Sequence, residues 1–452
     1  MIWDRKKLYY EIVLPFSKVL EDIEFHGMLI DKERMGQVES DFLKEKEDLE
    51  KEIKKYTGEI NLNSTAQLAP ILYGKLGVRP FIEDYKPKFE KGAMYWEPYK
   101  DEFLTEKGAL STASLCLKKA REYNTHPILD LLLKRSHLNH LLSSFIGSDK
   151  TGLRQYIHTD NCIHPSMFQL TKGGRPESSK PNVLNIPSTT KKGKRIKEFF
   201  IAPQGYSFVH RDYSAMELRG LAWLADDRVM WPAFCNNKDV HVLTTITILD
   251  GKESYDIIFA EKNGKFYTLR YCAKTTNFTI VYGGSHLSIR DTLLQKGDIF
   301  RTLKEAFAYY EGFFKTYPDI KTFQNSIGEH ILKHGLIKNL FGRERRFDGL
   351  DAKNNKNGFN EATRQALSHY VQGSTSGDYS ALKAVRLAKE FKQRNWDARI
   401  WNLLYDGFYT LCKDELVDSV NELMKEVMES PEGPIEIKLP TDGSIGKRWN
   451  EL

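Results

Sequence analysis

Three separate segments of this sequence carry side chains whose types and spacing could perform chemistry. The first, residues 211–219 (RDYSAMELR), directly follows a β-prone run at 206–209. Asp212 would lie at the end of that strand, where a carboxylate can face a cleft and bind a hard cation. Ser214 and Glu217 also fit the S-x-x-E capping box that begins a helix, and helix capping is the simpler interpretation of this pair.

The second segment, residues 270–283, places two cations and two aromatic rings at intervals of four residues. On a helix, Arg270, Lys274, Phe278 and Tyr282 would fall within a stripe of about 120°, because each interval advances the azimuth by about 40°. Such a face could hold a triphosphate against the cations and a base or sugar against the rings. The alternative is an amphipathic helix with the rings in the core and the cations in solvent, and this segment alone favours neither.

The third segment contains Asp406, which precedes Gly407 between two β-prone runs within residues 400–411. An Asp-Gly pair in that position is typical of a hairpin turn. Taken alone, this segment therefore indicates a turn more than a site.

The elements that must position these segments alternate along the chain. Helical periodicity dominates the first 150 residues, short β-like runs follow, helices return, and β-prone stretches, with a strand expected at 435–439, close the chain. Residues 78–108 contain three prolines and interrupt the helical pattern, which predicts a surface insertion or long loop. This order indicates a discontinuous sheet domain with helical domains inserted or attached.

Composition excludes several classes of protein. With 452 residues, 40% hydrophobic and 28% charged, the chain is neither disordered nor fibrous, and its length allows about three structural units. A net charge of +6 fits an anionic ligand such as nucleic acid without identifying one. Five scattered cysteines without a C-x-x-C pair predict no disulfide framework or zinc knuckle and favour a reducing, intracellular compartment. No segment predicts a secretion signal or a membrane span.

Together the three segments resemble motifs A, B and C of the polymerase domain of family A, DNA polymerase I-like enzymes, including the phage type. Asp212 begins the motif A match, residues 270–283 form an almost complete motif B, and Asp406 occupies the place of the motif C aspartate. Further matches, in the family's order, occur at 174–187 and at 239–244. The resemblance implies an α+β, right-hand polymerase fold, in which an antiparallel palm sheet carries a helical thumb and helical fingers.

The resemblance also divides the chain. It implies a segment entering the palm at 1–31, a thumb at 32–150 with the insertion at about 78–108, palm at 151–214, fingers at 215–370 and palm at 371–452. Little of the chain precedes the match, so the family's proofreading exonuclease and 5′ nuclease are not expected within it. A processivity factor or a separate exonuclease would then be a further partner, in a bacterial or phage-infected cell or a eukaryotic organelle.

The activity implied is template-directed DNA synthesis on primer–template DNA with dNTPs and two Mg²⁺ ions. Asp212 and Asp406, with the backbone carbonyl of Tyr213, would bind both ions, which activate the primer 3′-hydroxyl and stabilise the leaving pyrophosphate. Lys274 would protonate that pyrophosphate. Glu217 would occupy the space of a ribose 2′-hydroxyl and so select deoxynucleotides.

The other contacts implied by the resemblance fall into two sets. Arg270, Lys274 and His241 would hold the triphosphate, while Phe278 and Tyr282 would stack near the nascent base pair. The residues expected to contact the primer–template duplex are Arg175, Asn182, Arg364 and Gln372.

One departure from the family pattern concerns motif C, which usually reads His-Asp-Glu and here reads Tyr405-Asp406-Gly407. The second carboxylate is missing, so metal binding would depend on two aspartates and whatever else the site supplies. Two alternatives to a DNA polymerase follow: a phage-type single-subunit RNA polymerase, or a catalytically weak DNA-binding relative. Glu217 and Phe278 argue against the first, and the retained aspartates with the Arg270–Lys274 pair argue against the second.

Overall fold

The computed structural model describes residues 2–79, 110–169, 171–187 and 190–452, together with the backbone of two short strands at 88–90 and 93–95. Most of the segment 78–108, predicted as an insertion or long loop, therefore lies outside the described residues; its strands Lys88–Glu90 and Ala93–Tyr95 pair antiparallel. None of the helices in these ranges is long and apolar enough to cross a membrane.

Helices make up most of the described chain. The longer ones are Leu14–His26, Lys32–Thr57, Ile128–His140, Tyr267–Val281, His286–Gly297, Leu303–Thr316, Pro318–His334, Lys356–Gln372, Ser380–Gln393 and Val417–Glu429. The shorter ones are Arg5–Leu8, Thr65–Ala69, Ser114–Arg121, Lys191–Ile196, Met216–Leu224, Met230–Cys235, Val240–Ile248 and Tyr255–Ala260. Small antiparallel pairs join Met28–Leu29 to Cys162–Ile163, Ser166–Phe168 to Glu177–Ser179, and Leu336–Lys338 to Glu344–Arg346.

Four antiparallel strands form the central sheet, in the order Ala398–Leu404, Gly407–Lys413, Tyr206–Tyr213 and Thr441–Gly446. We call Tyr206–Tyr213 the central strand and Thr441–Gly446 the C-terminal strand. The strands come from three distant stretches of the chain, and the predicted antiparallel sheet is confirmed. The strand predicted at 435–439 is wrong, because pairing with the central strand begins only at Thr441, opposite Tyr213.

Side chains of the central strand alternate between the two faces of the sheet. Arg211 and Tyr213 face the helix Val417–Glu429, where Arg211 donates to the Asn421 side chain (2.7 Å) and the Tyr213 phenol donates to the Met428 carbonyl (2.8 Å). Phe208, His210 and Asp212 alternate with them and therefore face the opposite side.

Aromatic rings cover one end of that opposite side. The ring of Phe208 lies 4.6 Å from that of Trp401, and Trp401 lies 5.1 Å from Trp449, measured between ring centroids. Asp212 lies at the other end of the strand, beyond this aromatic cover. The apolar packing thus anchors the strand while leaving its carboxylate end available for a site.

A two-residue turn, Tyr405 and Asp406, joins the strands Ala398–Leu404 and Gly407–Lys413, which confirms the predicted hairpin. Tyr405 adopts a left-handed backbone conformation with φ of 58°, as tight hairpin turns require. The turn lies beside the end of the central strand, where the Tyr213 amide donates to the Asp406 carbonyl (3.3 Å). A single hairpin therefore serves both as the turn and as the carrier of Asp406.

Two helical clusters with separate apolar cores accompany the sheet. The larger core draws its residues from 218–371, and the smaller one combines the end of the helix Lys32–Thr57 with the helices Ser114–Arg121 and Ile128–His140. The two clusters contact each other where Arg121 donates to Asp298 (2.6 Å). The helix Lys32–Thr57 agrees with the helical periodicity that dominates the first 150 residues of the sequence.

Candidate active site

Asp212 and Asp406 lie side by side at one end of the central sheet, although 194 positions separate them in the chain. Gly407 pairs directly opposite Asp212, so the residue before it, Asp406, reaches the same end of the sheet. The two carboxyl groups lie close enough for each to alter the pKa of the other. Strand register thus brings together the two carboxylates that the sequence assigned to motifs A and C.

Both carboxyl groups lie in surroundings with an excess of negative charge. Burial is the main cause that raises the pKa of Asp212 and of Asp406 above their ordinary values, and the charge of Glu217 raises both further. The Asp406 carboxyl group and the charge of Lys274 oppose the rise at Asp212, while Asp442 adds to it. Half-buried oxygen ligands whose negative charge is only partly compensated by nearby cations are a donor set suited to a hard divalent cation, so these residues fit the predicted cofactor.

Glu217 is 4% exposed, and its carboxylate forms an ion pair with the Arg175 guanidinium. Arg175 also donates to the Ser376 hydroxyl (2.8 Å from Nε) and lies over the Tyr405 ring. The capping-box interpretation of Glu217 is wrong. Ala215, in a left-handed conformation, caps the helix Met216–Leu224 without a side-chain hydrogen bond, so Ser214 does not act as the cap.

Tyr282 and Gln372 join the same region of the site. Burial raises the pKa of the Tyr282 phenol to about 12, and the nearby Gln372 side chain opposes this rise. The charges of Glu217 and Asp406 add to this rise, which places both carboxylates close to the phenol. Tyr282 therefore stays neutral and can act as a hydrogen-bond donor near the two aspartates.

The helix Tyr267–Val281 carries the cations and rings of the second segment. Arg270 forms an ion pair with Asp239, in which Nε (3.0 Å) and a terminal nitrogen (2.7 Å) both donate to the same carboxylate oxygen, Oδ2. Lys274 is exposed, yet it lies close enough to Asp212 for its charge to lower the pKa of that carboxyl group. Phe278 packs against the larger helical core but is only partly buried. The helix is therefore neither a fully exposed nucleotide-binding face nor an amphipathic helix with both rings in the core.

His241 is held behind these cations. The Asn277 amide donates to His241 Nδ1 (3.1 Å), and the Thr244 hydroxyl donates to the Asn277 side-chain oxygen (3.0 Å). Burial is the main cause that lowers the pKa of His241, so the ring is neutral and its Nε2 carries the hydrogen. A neutral donor in this place can bind an anion without a charge of its own.

Asn182 and Arg364 are occupied by local contacts. The Asn182 side-chain oxygen accepts from the Leu184 amide (3.1 Å), and Arg364 pairs with Glu361 one helical turn earlier. The Arg364 side chain also packs against Gly283, which follows the helix Tyr267–Val281 and has a positive φ of 69°. These two predicted duplex contacts therefore have no direct link to the carboxylate pair in this structure.

The sequence of the chain also matches the model of a known protein family. A sequence model of DNA polymerase family A matches residues 32–451. The chain belongs to DNA polymerase family A. The predicted resemblance is therefore confirmed over nearly the whole chain.

Individual members of family A show the same relationship. The chain is 31% identical to DNA polymerase I of Helicobacter pylori (strain ATCC 700392 / 26695) over 445 residues, covering 98% of this chain and 44% of that protein. It is 30% identical to the thermostable DNA polymerase I of Thermus thermophilus, covering 98% of this chain and 48% of that protein. The chain thus spans less than half the length of the curated relatives it matches.

A solved structure supports the fold assignment. The polymerase domain of Pol1 from M. smegmatis, determined in complex with DNA primer-template and dNTP, superposes with a TM-score of 0.80 at 24% identity. The match covers 97% of this chain and 70% of that chain. The right-hand polymerase fold predicted from the family A motifs is therefore confirmed.

Sequence reasoning missed two residues of this family A site. Asp442 lies directly opposite Asp212 on the C-terminal strand, and His210 lies two residues before Asp212 on the same face of the sheet. The His210 ring stacks on Tyr409 (4.2 Å between centroids), and its Nδ1 lies 3.2 Å from the Ser444 hydroxyl. Strand alternation could have placed His210 beside Asp212, but no local pattern indicated Asp442.

Gly407 is a position where the site has no room for a side chain. A Cβ there would lie 2.9 Å from Asp212 Oδ1 and 3.1 Å from His210 Nε2. His210 thus occupies the neighbourhood into which a motif C glutamate would extend. The absence of a motif C glutamate therefore agrees with the packing, because Asp212 and His210 leave no room for a side chain at position 407.

We expect Gly407→Ala to lower the rate of primer extension at least tenfold, because the new methyl group must displace the Asp212 carboxylate. Gly407→Glu, which restores the usual family A residue, is expected to lower the rate as well. Single-turnover extension assays would measure both effects, with Gly36→Ala as the control, because a Cβ at Gly36 meets nothing within 4 Å. A Gly407→Glu enzyme faster than the wild type would contradict the expectation.

Proposed function

We propose that this chain is a template-directed DNA polymerase that adds deoxynucleotides to a primer 3′-hydroxyl. The observation that carries the proposal is the meeting of Asp212 and Asp406 at one end of the sheet, within electrostatic reach of Lys274 on the facing helix. Opposite charges on the two sides of a cleft suit a reaction between a primer end and a nucleoside triphosphate.

The proposed architecture follows the three groups of packed elements. We assign the central sheet and the helices packed on it to the palm, at 1–31, 151–214 and 371–452. We assign residues 215–370 to the fingers, because the larger helical core draws on this range, and 32–150 to the thumb. The helix Lys32–Thr57 begins in the palm core and ends in the thumb core, which makes it the connection between them.

In the proposed reaction, Asp212, Asp406 and the Tyr213 carbonyl would hold two Mg²⁺ ions, which would lower the pKa of the primer 3′-hydroxyl and stabilise the leaving pyrophosphate. The chain itself supplies the charges around them. Lys274 would donate a proton to the departing pyrophosphate, a role supported by its exposure and by the action of its charge on Asp212.

Nucleotide binding is proposed for the helix Tyr267–Val281 and the residues packed against it. Arg270 donates from two nitrogens to one Asp239 oxygen, and a phosphate oxygen would accept from the same two donors. His241 supplies a neutral Nε2–H donor beside it, and Phe278 lies 5.8 Å from the His241 ring, between centroids. Phosphate oxygens would compete with Asp239 for Arg270, so triphosphate binding and the Arg270–Asp239 pair are alternatives.

The primer end is proposed to lie between Arg175, Gln372 and Tyr282. The charge of Arg175 and the Gln372 side chain both lower the pKa of Tyr282, and Arg175 also forms an ion pair with Glu217. Arg364 and Asn182 would contact the duplex only after leaving their present local partners.

Primer extension tests the proposal directly. We expect the purified chain to extend a DNA primer on a DNA template with dNTPs and Mg²⁺, with little incorporation of ribonucleotides. Preferential incorporation of ribonucleotides would instead support an RNA polymerase, and duplex binding without extension would support an inactive DNA-binding relative. Running the same assay on an RNA template would define which templates are copied.

We expect Glu217→Ala to lower discrimination against ribonucleotides by about tenfold to a hundredfold, because it opens the space proposed for a 2′-hydroxyl. Glu217→Gln is the matched control, since it keeps the side-chain volume while removing the charge that pairs with Arg175. The ratio of kcat/KM for dNTP and rNTP measures the effect. Unchanged ratios in Glu217→Ala would leave pairing with Arg175 as the only role of this residue.

We expect Asp442→Asn to raise the Mg²⁺ concentration required for half-maximal extension severalfold, because it removes a negative charge that acts directly on Asp212. The control is Asp256→Asn, an exposed aspartate on the helix Tyr255–Ala260. Extension rates measured over a Mg²⁺ titration test this, and an unchanged midpoint would exclude Asp442 from the site.

A further inference from the structure

A hairpin distant in sequence from the two aspartates gathers three side chains of the kinds that bind transition metals. Asp160, Cys162 and His164 offer one ligand atom each, and these atoms all lie within 4.8 Å of one another. Among the described residues, this is the only group of three or more histidine, cysteine or carboxylate ligands that lie so close together.

The hairpin geometry explains why three ligands spaced two residues apart converge. The His158 amide donates to the Cys162 carbonyl (2.9 Å) and the Asn161 amide to the His158 carbonyl (3.1 Å), which closes a tight turn. Asn161 takes a left-handed conformation with φ of 64° within this turn. The turn folds Asp160 back, so its carboxylate accepts from the Cys162 amide (2.9 Å) and faces the His164 ring.

The orientation of the His164 ring is set by a backbone group. His164 Nδ1 lies 2.7 Å from the Glu24 carbonyl, which can only accept, so Nδ1 carries the hydrogen. In the neutral ring Nε2 then has a free lone pair, and it faces Asp160 Oδ2 at 2.9 Å. Two acceptors meet there unless a proton or a metal ion lies between them. A backbone carbonyl that fixes the tautomer in this way is the usual second partner of a metal-binding histidine.

Cys162 completes the set from the same side of the turn. Its thiol lies 3.8 Å from the Asp160 carbonyl oxygen, and burial, followed by the charge of Asp160, raises the pKa of the thiol. Without metal the thiol is therefore protonated. At 2.9 Å, His164 Nε2 and Asp160 Oδ2 share one proton when no metal ion lies between them.

We propose that Asp160, Cys162 and His164 form a binding site for a zinc-type transition-metal ion, with water at the fourth position. Nitrogen, sulfur and oxygen ligands together suit Zn²⁺ more than Mg²⁺. On binding, a metal–sulfur bond replaces the S–H bond of Cys162, and the thiol proton passes to solvent together with the proton shared by His164 and Asp160. Tetrahedral binding needs ligand atoms about 3.3 Å or more apart, so Asp160 and His164 must separate by a few tenths of an ångström.

Such an ion would join two distant parts of the palm region. His164 packs against Gly27, where a Cβ would lie 2.7 Å from the ring, and its Nδ1 holds the end of the helix Leu14–His26. The strands Met28–Leu29 and Cys162–Ile163 pair directly beside the ligands. Metal bound at the hairpin would therefore stabilise the contact between the first helices of the chain and the segment leading to Arg175.

Cobalt(II) spectroscopy on the full chain tests this site independently of the polymerase reaction. We expect one equivalent of Co²⁺ to produce a thiolate-to-cobalt charge-transfer band, and Zn²⁺ to abolish the band by displacement. Oxygen ligands such as Asp212 and Asp406 cannot produce this band. Cys162→Ser should lose it, whereas Cys235→Ser, which alters an exposed free cysteine elsewhere, should keep it.

Affinity supplies a second measurement that does not depend on the cysteine. Asp160→Asn is expected to weaken Zn²⁺ binding at least tenfold in calorimetry, and its carboxyl group is half exposed, so the fold should tolerate the change. Metal-free variants should melt at the temperature of the metal-free wild type. A wild-type chain that binds Co²⁺ without the band, or not at all, would contradict the proposal, as would a Cys162→Ser variant that keeps the band.

Discussion

Asp212→Asn and Asp406→Asn should each lower the rate of primer extension about a thousandfold or more, while the Kd for primer–template duplex changes only a few fold. Each carboxylate is half-buried beside the other, so each contributes directly to the negative charge at this end of the central sheet. Removing one charge removes several kcal/mol of the electrostatic stabilisation that a cation at this site would provide to the transition state. Single-turnover extension and fluorescence anisotropy would measure the two quantities.

A matched control for these variants is Asp149→Asn, which alters an exposed aspartate in a turn remote from the central sheet. It should leave both rate and duplex affinity unchanged. Extension at the wild-type rate by either Asp212→Asn or Asp406→Asn would exclude the metal assignment. Loss of duplex affinity in parallel with rate would indicate that the substitution had disturbed the fold around the hairpin turn instead.

Substitution of the cations on the helix Tyr267–Val281 should have the second largest effect. Lys274→Ala is expected to lower kcat by about a hundredfold to a thousandfold, because it removes a positioned proton donor and positive charge from the pyrophosphate side. Arg270→Ala is expected to raise the KM for dNTP more than it lowers kcat, since its guanidinium would bind the triphosphate in ground state and transition state alike.

Steady-state kinetics with a single correct dNTP would separate these effects. Lys265→Ala is the matched control, because Lys265 is an exposed lysine just before the same helix begins. Its kcat and KM should equal those of the wild type. Equal kinetics in Lys274→Ala would contradict the proposed role of Lys274, and a fall in kcat alone in Arg270→Ala would place Arg270 at the transition state.

The sequence predicted the individual groups well where the signal was local. The hairpin turn at Asp406, the helix carrying Arg270 and Lys274, and the strand ending at Asp212 are all present. These features depend on turn chemistry and on helix or strand period, which a short window of sequence contains. The family assignment depended on the same windows in a fixed order, and the match over residues 32–451 confirms it.

Predictions failed where two local signals competed. Ser214 and Glu217 satisfied the spacing of a capping box, yet Glu217 pairs with Arg175, which lies 42 positions earlier in the chain. Burial explains why Glu217 pairs with Arg175 instead of capping the helix. A carboxylate that is only 4% exposed loses most of its hydration, and leaving it without a cationic partner would cost more free energy than leaving the helix end without a side-chain cap. The strand predicted at 435–439 was wrong because β-propensity does not decide where the last strand begins. Pairing with Tyr213 sets its first residue at Thr441.

By itself, the sequence determined the types of the reactive groups, their order and the family to which the chain belongs. Only the tertiary structure decided that Asp442 faces Asp212, that His210 fills the space beside Gly407, and that Asp160 meets His164. Cross-strand partners depend on register between strands far apart in the chain, and a shift of one residue would turn every side chain to the other face. That register is set by packing of the whole sheet, which no local pattern contains.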